Sequence, residues 1–157
     1  MRVREYTRAD RDACLAVFDS NVPAYFVAAE REAFAAFLDG LPGPYLVVED
    51  GAGAIVGCGG YAIAPETRTA DLCWGMVARG RHGTGLGRLL LDARLDGIRA
   101  DPRVDAVALN TSQHTRGFYE RRGFVTERVV PDGFAPGLDR CDMRLVTAAG
   151  RERASGG

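Results

Sequence analysis

The sequence contains no lysine, so each of its 20 basic residues is an arginine. This absence excludes a phosphate-binding loop of the Walker type, which needs a lysine, and a lysine Schiff base. Metal ligands are also scarce. His82 and His114 are the only histidines, and the four cysteines have no C-x-x-C spacing, so no zinc site is predicted.

Long apolar runs are absent as well, and the first residues, "MRVREYTRAD", are charged from the start. We therefore expect neither a secretory signal nor a membrane-spanning segment, and we predict a cytoplasmic protein with reduced thiols. A formal net charge of -1 gives no electrostatic footprint for nucleic acid or an anionic membrane, so neither is expected as a partner. The length of 157 residues and the 46% hydrophobic content predict one domain over residues 1–147, followed by a disordered tail over residues 148–157.

The apolar spacing along the chain alternates between strand and helix periods. It predicts a strand, two helices, a meander of three strands, a helix, a strand, a short helix and a final pair of strands. This order is typical of an α/β (α+β) domain with a mixed sheet.

The segment "RGRHGTGLGRLLL", residues 79–91, places Gly83, Gly85 and Gly87 directly before a predicted helix. A strand that turns through glycines into a helix aims backbone N–H groups and the positive end of the helix dipole at one point. Glycine also lets a ligand approach the main chain without a Cβ in the way. The loop therefore predicts a phosphate or pyrophosphate site, with a tight turn that binds nothing as the alternative. A dinucleotide fingerprint fits poorly, because Arg88 stands where its last glycine should be.

Three segments together, "ADLCWGMV", "RHGTGLGRLLL" and "NTSQHTRGFYERRGF", resemble the GCN5-related N-acetyltransferase (GNAT) superfamily, over essentially residues 1–146. The loop pattern of that family, [Gln/Arg]-x-x-Gly-x-[Gly/Ala], matches residues 82–87 with His82 at the first position. The resemblance implies a mixed, mostly antiparallel sheet of about seven strands flanked by four helices, and acetyl-CoA as co-substrate with no metal. It implies further that the loop amides hold the pyrophosphate and that the end of the preceding strand bonds the pantetheine arm. The cofactor-binding residues implied in this way are Met76, Val77, His82, Gly83, Thr84, Gly85, Leu86, Gly87, Arg88 and, at the position of a family asparagine, Ser112.

Tyr119 matches the tyrosine of the family's later signature, together with the "GF" dipeptide at residues 123 and 124. A phenol is protonated at neutral pH and can donate its proton to the departing thiolate, so Tyr119 is the predicted general acid. Its alternative role is that of a core aromatic on a helix face. Asp71 lies where histone-acetylating members carry a glutamate base, and it is the predicted base. A solvated carboxylate with no catalytic role is the alternative for Asp71, and Glu66 and Glu120 are lesser candidates.

The acceptor is the least defined part of the prediction. By resemblance, its wall comes from "NVPAYFVAAE" and from "PDGFAPGLDR", where Tyr25, Phe26 and Phe134 could line a pocket. Asp132 or Asp139 could attract an amine there. The aromatics could equally cover the core.

The sequence thus predicts an N-acetyltransferase in which an amine of an unidentified small molecule or peptide attacks acetyl-CoA directly. Family members often pair as dimers, so a homodimer is also implied. An acyl-CoA sensor without turnover and another kind of nucleotide-binding α/β domain are the alternatives.

Overall fold

A computed structural model describes residues 1–156 and confirms a mixed, mostly antiparallel sheet of seven strands. The strands follow the order β1-β2-β3-β4-β5-β7-β6 across the sheet. Their bounds are β1 Arg2–Glu5, β2 Tyr45–Glu49, β3 Ile55–Ala64, β4 Thr69–Val77, β5 Ala106–Thr111, β6 Val125–Ala135 and β7 Leu138–Val146.

Residues 1–156 also form five α-helices, one more than the four that the resemblance implies. Gly40 follows α2 directly, and α3 ends before Pro102, which cannot continue a helix. None of the helices within residues 1–156 combines the length and apolarity that a membrane crossing needs. The helix bounds are α1 Arg11–Ser20, α2 Arg31–Asp39, α3 Leu86–Arg99, α4 Arg116–Glu120 and α5 Ala148–Gly156.

The chain divides into two compact units. The first consists of Met1–Ala62 and Leu72–Ile98, and the second consists of residues 63–71 and 99–156. The chain passes from one unit to the other within β3, β4 and α3. The single domain expected over residues 1–147 stays a prediction.

In the first unit, α1 and α2 share an apolar core with side chains of the strands. Phe18 and Phe34 are fully buried there with Met76 of β4. Side chains next along the strands pack elsewhere, because successive residues of a strand point to opposite faces. Val48 of β2 and Val56 of β3 accordingly pack against Leu86 and Leu90 of α3.

In the second unit, β5 is parallel to β4 and antiparallel to β7. Its ladder with β4 joins Thr69–Asp71 to residues 106–108. β6 and β7 form the predicted final hairpin, but β6 runs on to Ala135 and pairs there with Leu138. Residues 131–135 of "PDGFAPGLDR" therefore belong to a strand, whose register with β7 is irregular between Val130 and Ala135.

The disordered tail predicted for residues 148–157 is corrected by the structure, which forms α5 over Ala148–Gly156. Thr147 caps this helix, because its Oγ1 accepts a hydrogen bond from the Gly150 amide at 3.0 Å. The Arg153 guanidinium forms an ion pair with Asp105 at 2.7 Å. The polar composition of the tail indicated disorder, and these distant partners lie outside any local pattern.

We expect Gly150→Ala to release α5 from its docking site. A Cβ at Gly150 would lie 2.1 Å from the main-chain oxygen of Asp105, a backbone atom that cannot move aside cheaply. The cost should be about 1–3 kcal/mol of unfolding free energy, with faster amide exchange over residues 148–156. Gly156→Ala is the matched control, since a Cβ there meets nothing within 4 Å. Equal exchange rates in the two variants would contradict the docked helix.

The start of the chain is held by an ionic cluster. The Arg4 guanidinium donates to both carboxylate oxygens of Asp10 at 2.8 Å and to Glu49 at 2.6 Å. Asp10 is buried, with 7% of its surface exposed, and its carboxylate also accepts from the Thr7 amide at 2.8 Å. Hydrogen bonds from Arg4 lower the pKa of Asp10 from 3.8 to about 2.

This shift predicts a loss of stability in acid. A carboxylate with a lowered folded-state pKa contributes fully above pH 4, and its contribution is lost as the pH falls from about 4 to 2. The contribution is on the order of 2 kcal/mol. Urea unfolding between pH 2 and 7 should therefore show a smaller acid-dependent loss for Asp10→Asn than for the unchanged protein. Asp12→Asn, at an exposed position of the neighbouring helix, is the control. An unchanged acid dependence in Asp10→Asn would contradict this contribution.

Candidate active site

The glycine loop between β4 and α3 turns through two residues of left-handed conformation. Gly83 has a φ of 76° and Gly85 a φ of 86°, a region that L side chains rarely adopt. A Cβ at either position would meet nothing within 4 Å. These glycines are therefore required by backbone conformation, and the space beside the main chain there is open to a ligand.

The helix that follows begins at this turn. The Leu89 amide donates to the Gly85 carbonyl at 3.1 Å, which leaves the amides of residues 86–88 at the helix start without an intrahelical acceptor. Unpaired amides and the helix dipole together make an anion site. Arg88 is exposed beside it, with 69% of its side chain accessible and Asp92 3.8 Å away. Arg81, in contrast, is bound to Asp50 at 2.9 Å.

The carbonyl of Val77, at the end of β4, accepts two side-chain hydrogen bonds. Asn21 Nδ2 donates to it at 3.0 Å, and His82 Nε2 lies 2.9 Å from it. Asn21 is buried at the end of α1 and also donates to Val17 at 2.9 Å. The His82 ring contacts the Tyr25 ring edge-on at 4.8 Å. The Nε2 atom of His82 thus braces the loop against β4.

Backbone direction along the end of β4 follows from one hydrogen bond. The Ala78 amide donates to Val56 of β3 at 2.8 Å, and alternate residues of a strand point their backbone groups to opposite edges. Val77 therefore directs its backbone groups to the edge of β4 away from β3. Such an edge suits the addition of a further extended chain.

Trp74 interrupts β4 with a left-handed φ of 45°, a strained value for a bulky residue. Its ring packs among the aromatics of α1 and α2, 5.0 Å from Phe34 and 6.3 Å from Phe26. The Tyr45 hydroxyl donates to the Trp74 carbonyl at 2.8 Å and fixes the bend. Phe26, a predicted acceptor residue, packs on this core with part of its surface exposed, and Tyr25 lies against the loop.

In the second unit, Tyr119 lies on α4 and is half-buried between two aromatic rings. The ring of Phe118 is 5.0 Å away and that of Phe124 is 5.6 Å away, both edge-on. The Phe124 amide donates to the Tyr119 carbonyl at 3.1 Å, and Gly123 between them has a φ of 93°. The "GF" dipeptide therefore closes α4 and fixes the position of Tyr119.

Ser112 is buried, and its Oγ accepts a hydrogen bond from the His114 amide at 3.3 Å. The end of the β6–β7 hairpin is tied by carboxylates. Asp139 accepts from the Asp132 amide at 2.9 Å, and Asp132 accepts from the Gly137 amide at 2.7 Å. Both aspartates therefore have structural partners, and Phe134 lies half-buried on β6 beside them.

Comparison with known proteins decides the family. The model of the acetyltransferase (GNAT) family matches residues 14–124. The chain belongs to this family. As a GNAT member it is an acetyltransferase enzyme, as the resemblance predicts.

Solved structures share the fold. A structure from Desulfovibrio desulfuricans, described as a GNAT-family acetyltransferase, has 27% identity and a TM-score of 0.77, and the alignment covers 92% of this chain and 98% of that one. A ribosomal-protein-alanine N-acetyltransferase from Brucella melitensis has 20% identity and a TM-score of 0.76, with 94% and 100% covered. An aminoglycoside 6'-N-acetyltransferase in complex with coenzyme A has 15% identity and a TM-score of 0.74, with 93% and 97% covered. No curated protein matches significantly.

One group of predicted site residues in this acetyltransferase comes together, within the first unit. The first unit brings Met76, Val77, the loop and Tyr25 to the region where β4 meets α3. The second unit holds Tyr119, Ser112 and Phe134 on other elements. Asp71 is exposed at the last rung of the β4–β5 ladder. Glu120 is bound to Arg116 at 3.0 Å.

Sequence reasoning missed two side chains of the first unit. Asn21 follows a predicted helix and carried no signal of its bond to Val77, which lies 56 residues away. Glu30 lies in the segment between α1 and α2, and burial raises its pKa above the usual 4.5. Neither feature has a local sequence signature, because both arise from contacts made by the folded chain. The described residues contain no cluster of three side chains that could hold a metal ion.

Proposed function

We propose that this enzyme transfers the acetyl group of acetyl-CoA to an amine, with the diphosphate of the cofactor bound by the loop amides. The observation that carries the proposal is the pair of left-handed glycines beside open space at the start of α3. Amides of residues 83–88 supply the hydrogen bonds, and Arg88 adds an exposed positive charge. The negatively charged oxygens of the diphosphate can accept these hydrogen bonds and pair with the guanidinium of Arg88.

The pantetheine arm extends along β4 as an added strand. Val77 offers its amide to the arm, since its carbonyl is taken by Asn21 and His82. Met76 is buried and supports the strand from the core. Main-chain bonds of this kind hold a flexible arm without selecting its chemistry.

In the reaction itself, the neutral amine attacks the thioester carbonyl carbon, a C–N bond forms, and the C–S bond breaks. Tyr119 donates its phenolic proton to the departing sulfur as general acid. The packing of Phe118 and Phe124 around the ring restricts its orientation. Ser112 supports this segment by capping the turn before α4. We propose this structural role for Ser112 ahead of its role as a cofactor ligand.

The proton of the attacking amine needs a second acceptor. We propose Asp71, acting through water, because the residue is exposed at the end of its ladder. Glu30 is the second candidate, because a carboxyl whose pKa is raised by burial is a stronger base than an ordinary one.

The two candidates are separated by pH–rate profiles. A base must be deprotonated, so activity rises with pH through its pKa. Asp71→Asn should remove this acidic limb and lower kcat by about ten- to a hundredfold, whereas Glu30→Gln should keep the limb. The reverse result would assign the base to Glu30, and a limb kept in both variants would exclude both residues.

For the acceptor we propose an amine of a small molecule or peptide that lies against Tyr25 and Phe26. Similar structures bear the names of aminoglycoside, spermidine and ribosomal-protein-alanine N-acetyltransferases, which supports an amine in general. The aromatic rings favour an acceptor with an apolar portion. A cytoplasmic location and a homodimer remain predictions from the sequence and the resemblance.

The proposed function is tested by thermal stabilisation with CoA, acetyl-CoA, NAD and ATP, followed by release of free thiol from acetyl-CoA across an amine panel. We expect stabilisation by CoA and acetyl-CoA only, and thiol release that depends on an amine. Stabilisation without thiol release would favour a sensor. Stabilisation by NAD or ATP but not by CoA would favour another nucleotide-binding domain.

A further inference from the structure

Arg94 is a buried cation in the middle of α3. Only 2% of its surface is exposed. Its guanidinium lies against two glycines of the sheet. A Cβ at Gly75 of β4 would be 2.7 Å from Nη1 and 2.8 Å from Nη2, and one at Gly59 of β3 would be 3.2 Å from Cζ. The guanidinium therefore fills a niche that exists because both strands lack a side chain there.

This guanidinium has no anionic partner within the first unit. Its Nε is buried and has no hydrogen-bond partner, and none of the ion pairs formed by residues 1–156 includes Arg94. An arginine is cationic throughout the pH range in which proteins fold. Burying such a charge without a carboxylate is costly, which makes Arg94 a candidate for a site where a ligand supplies the counter-charge.

The position of Arg94 indicates which part of the ligand it faces. It lies eight residues beyond the start of α3, about 12 Å along the helix, and so away from the loop that binds the diphosphate. It contacts Gly75, two residues before Val77 on the strand proposed to carry the pantetheine arm. Because the diphosphate lies at the loop after β4, the thioester end of an arm that runs along β4 lies nearer to the middle of this strand.

We propose that Arg94 binds the carboxylate of an acyl group carried on CoA, so that the enzyme accepts dicarboxylic acyl donors such as succinyl-CoA. This inference rests on the proposed function and names its donor class. An acyl chain beside β4 lies about 5 Å from the strand, the usual spacing of neighbouring strands. Over Gly75 no side chain separates it from the guanidinium. A carboxylate at the end of the acyl chain can therefore cross the Cα of Gly75 and accept hydrogen bonds from the planar guanidinium of Arg94.

An acceptor carboxylate fits this position less well. The aromatic residues proposed for the acceptor, Tyr25 and Phe26, belong to the segment between α1 and α2, which shares the core of those helices. Arg94 instead approaches the sheet from α3, whose apolar side chains pack with Val48 and Val56. The pantetheine arm and the acyl group at its end are the parts of the substrates that we propose to lie along β4.

The test compares dissociation constants for CoA, butyryl-CoA and succinyl-CoA by titration calorimetry. Butyryl and succinyl groups have four carbons each and differ in the terminal carboxylate. We expect succinyl-CoA to bind about ten- to a hundredfold more tightly than butyryl-CoA. Equal affinities for the two thioesters, with CoA itself bound, would overturn the inference and leave the proposed function standing. Failure of CoA to bind would overturn the proposed function.

Arg94→Met removes the charge and keeps the length of the side chain. It should abolish the preference for succinyl-CoA while CoA and butyryl-CoA bind as before, and it should not lower the melting temperature, because an uncompensated buried charge is lost. Arg99→Met, at an exposed position of the same helix, should leave the preference intact. A preference kept in Arg94→Met would overturn the assignment. If Arg94→Met does not fold, the affinities of the unchanged protein for succinyl-CoA and butyryl-CoA still test the inference.

Discussion

Tyr119→Phe should lower kcat by about a hundred- to ten-thousandfold at an unchanged dissociation constant for acetyl-CoA. The substitution removes one hydroxyl group and keeps the ring that packs between Phe118 and Phe124. Without the phenolic proton, the thiolate must leave as an anion or take its proton from water. The measurement is steady-state thiol release with calorimetry of cofactor binding.

A matched control separates this effect from the loss of any tyrosine hydroxyl. Tyr6 also has a buried hydroxyl, and that group has no hydrogen-bond partner among the described residues. Tyr6→Phe should therefore leave kcat unchanged and should not reduce stability. A kcat for Tyr119→Phe within threefold of the unchanged enzyme would remove Tyr119 from the mechanism.

Gly85→Ala should weaken CoA binding, and the double variant Gly83→Ala/Gly85→Ala should weaken it further. Each alanine is forced into a left-handed φ that costs about 1–2 kcal/mol, because its Cβ approaches the following carbonyl. Each should raise the dissociation constant of CoA about five- to thirtyfold, and the double variant by thirtyfold or more. Calorimetry of CoA binding measures both.

The control is Gly80→Ala in the same loop. A Cβ at Gly80 also meets nothing within 4 Å, and its φ lies outside the left-handed region. This variant should bind CoA as the unchanged enzyme does. Equal loss of affinity in Gly80→Ala and Gly85→Ala would mean that the left-handed turn is not what shapes the cofactor site.

The strands, most of the helices and the glycine loop could be predicted from the sequence. The strands and helices follow apolar periods, and the loop was found because left-handed turns at a helix start need glycine. The resemblance predicts Tyr119 as a site residue from its spacing to the "GF" dipeptide, and the structure joins the two through the bond between Phe124 and Tyr119. These features depend on residues close together in the chain.

Features that depend on distant residues were not readable. Helix α5 is docked by Asp105, more than 40 residues earlier, although its own composition is that of a disordered tail. Asn21 and His82 meet at the Val77 carbonyl only after folding. Arg94 lies at an apolar position of its helix, and its setting depends on glycines in two separate strands. A local sequence pattern cannot predict such contacts.

The proposed function depends above all on main-chain amides of residues 83–88 binding the diphosphate of coenzyme A. A crystal structure of the enzyme with CoA tests it most directly. We expect diphosphate oxygens at about 2.7–3.2 Å from several of these amide nitrogens, with Gly83 and Gly85 still left-handed. A diphosphate bound elsewhere, with the loop amides turned to their own side chains, would contradict it.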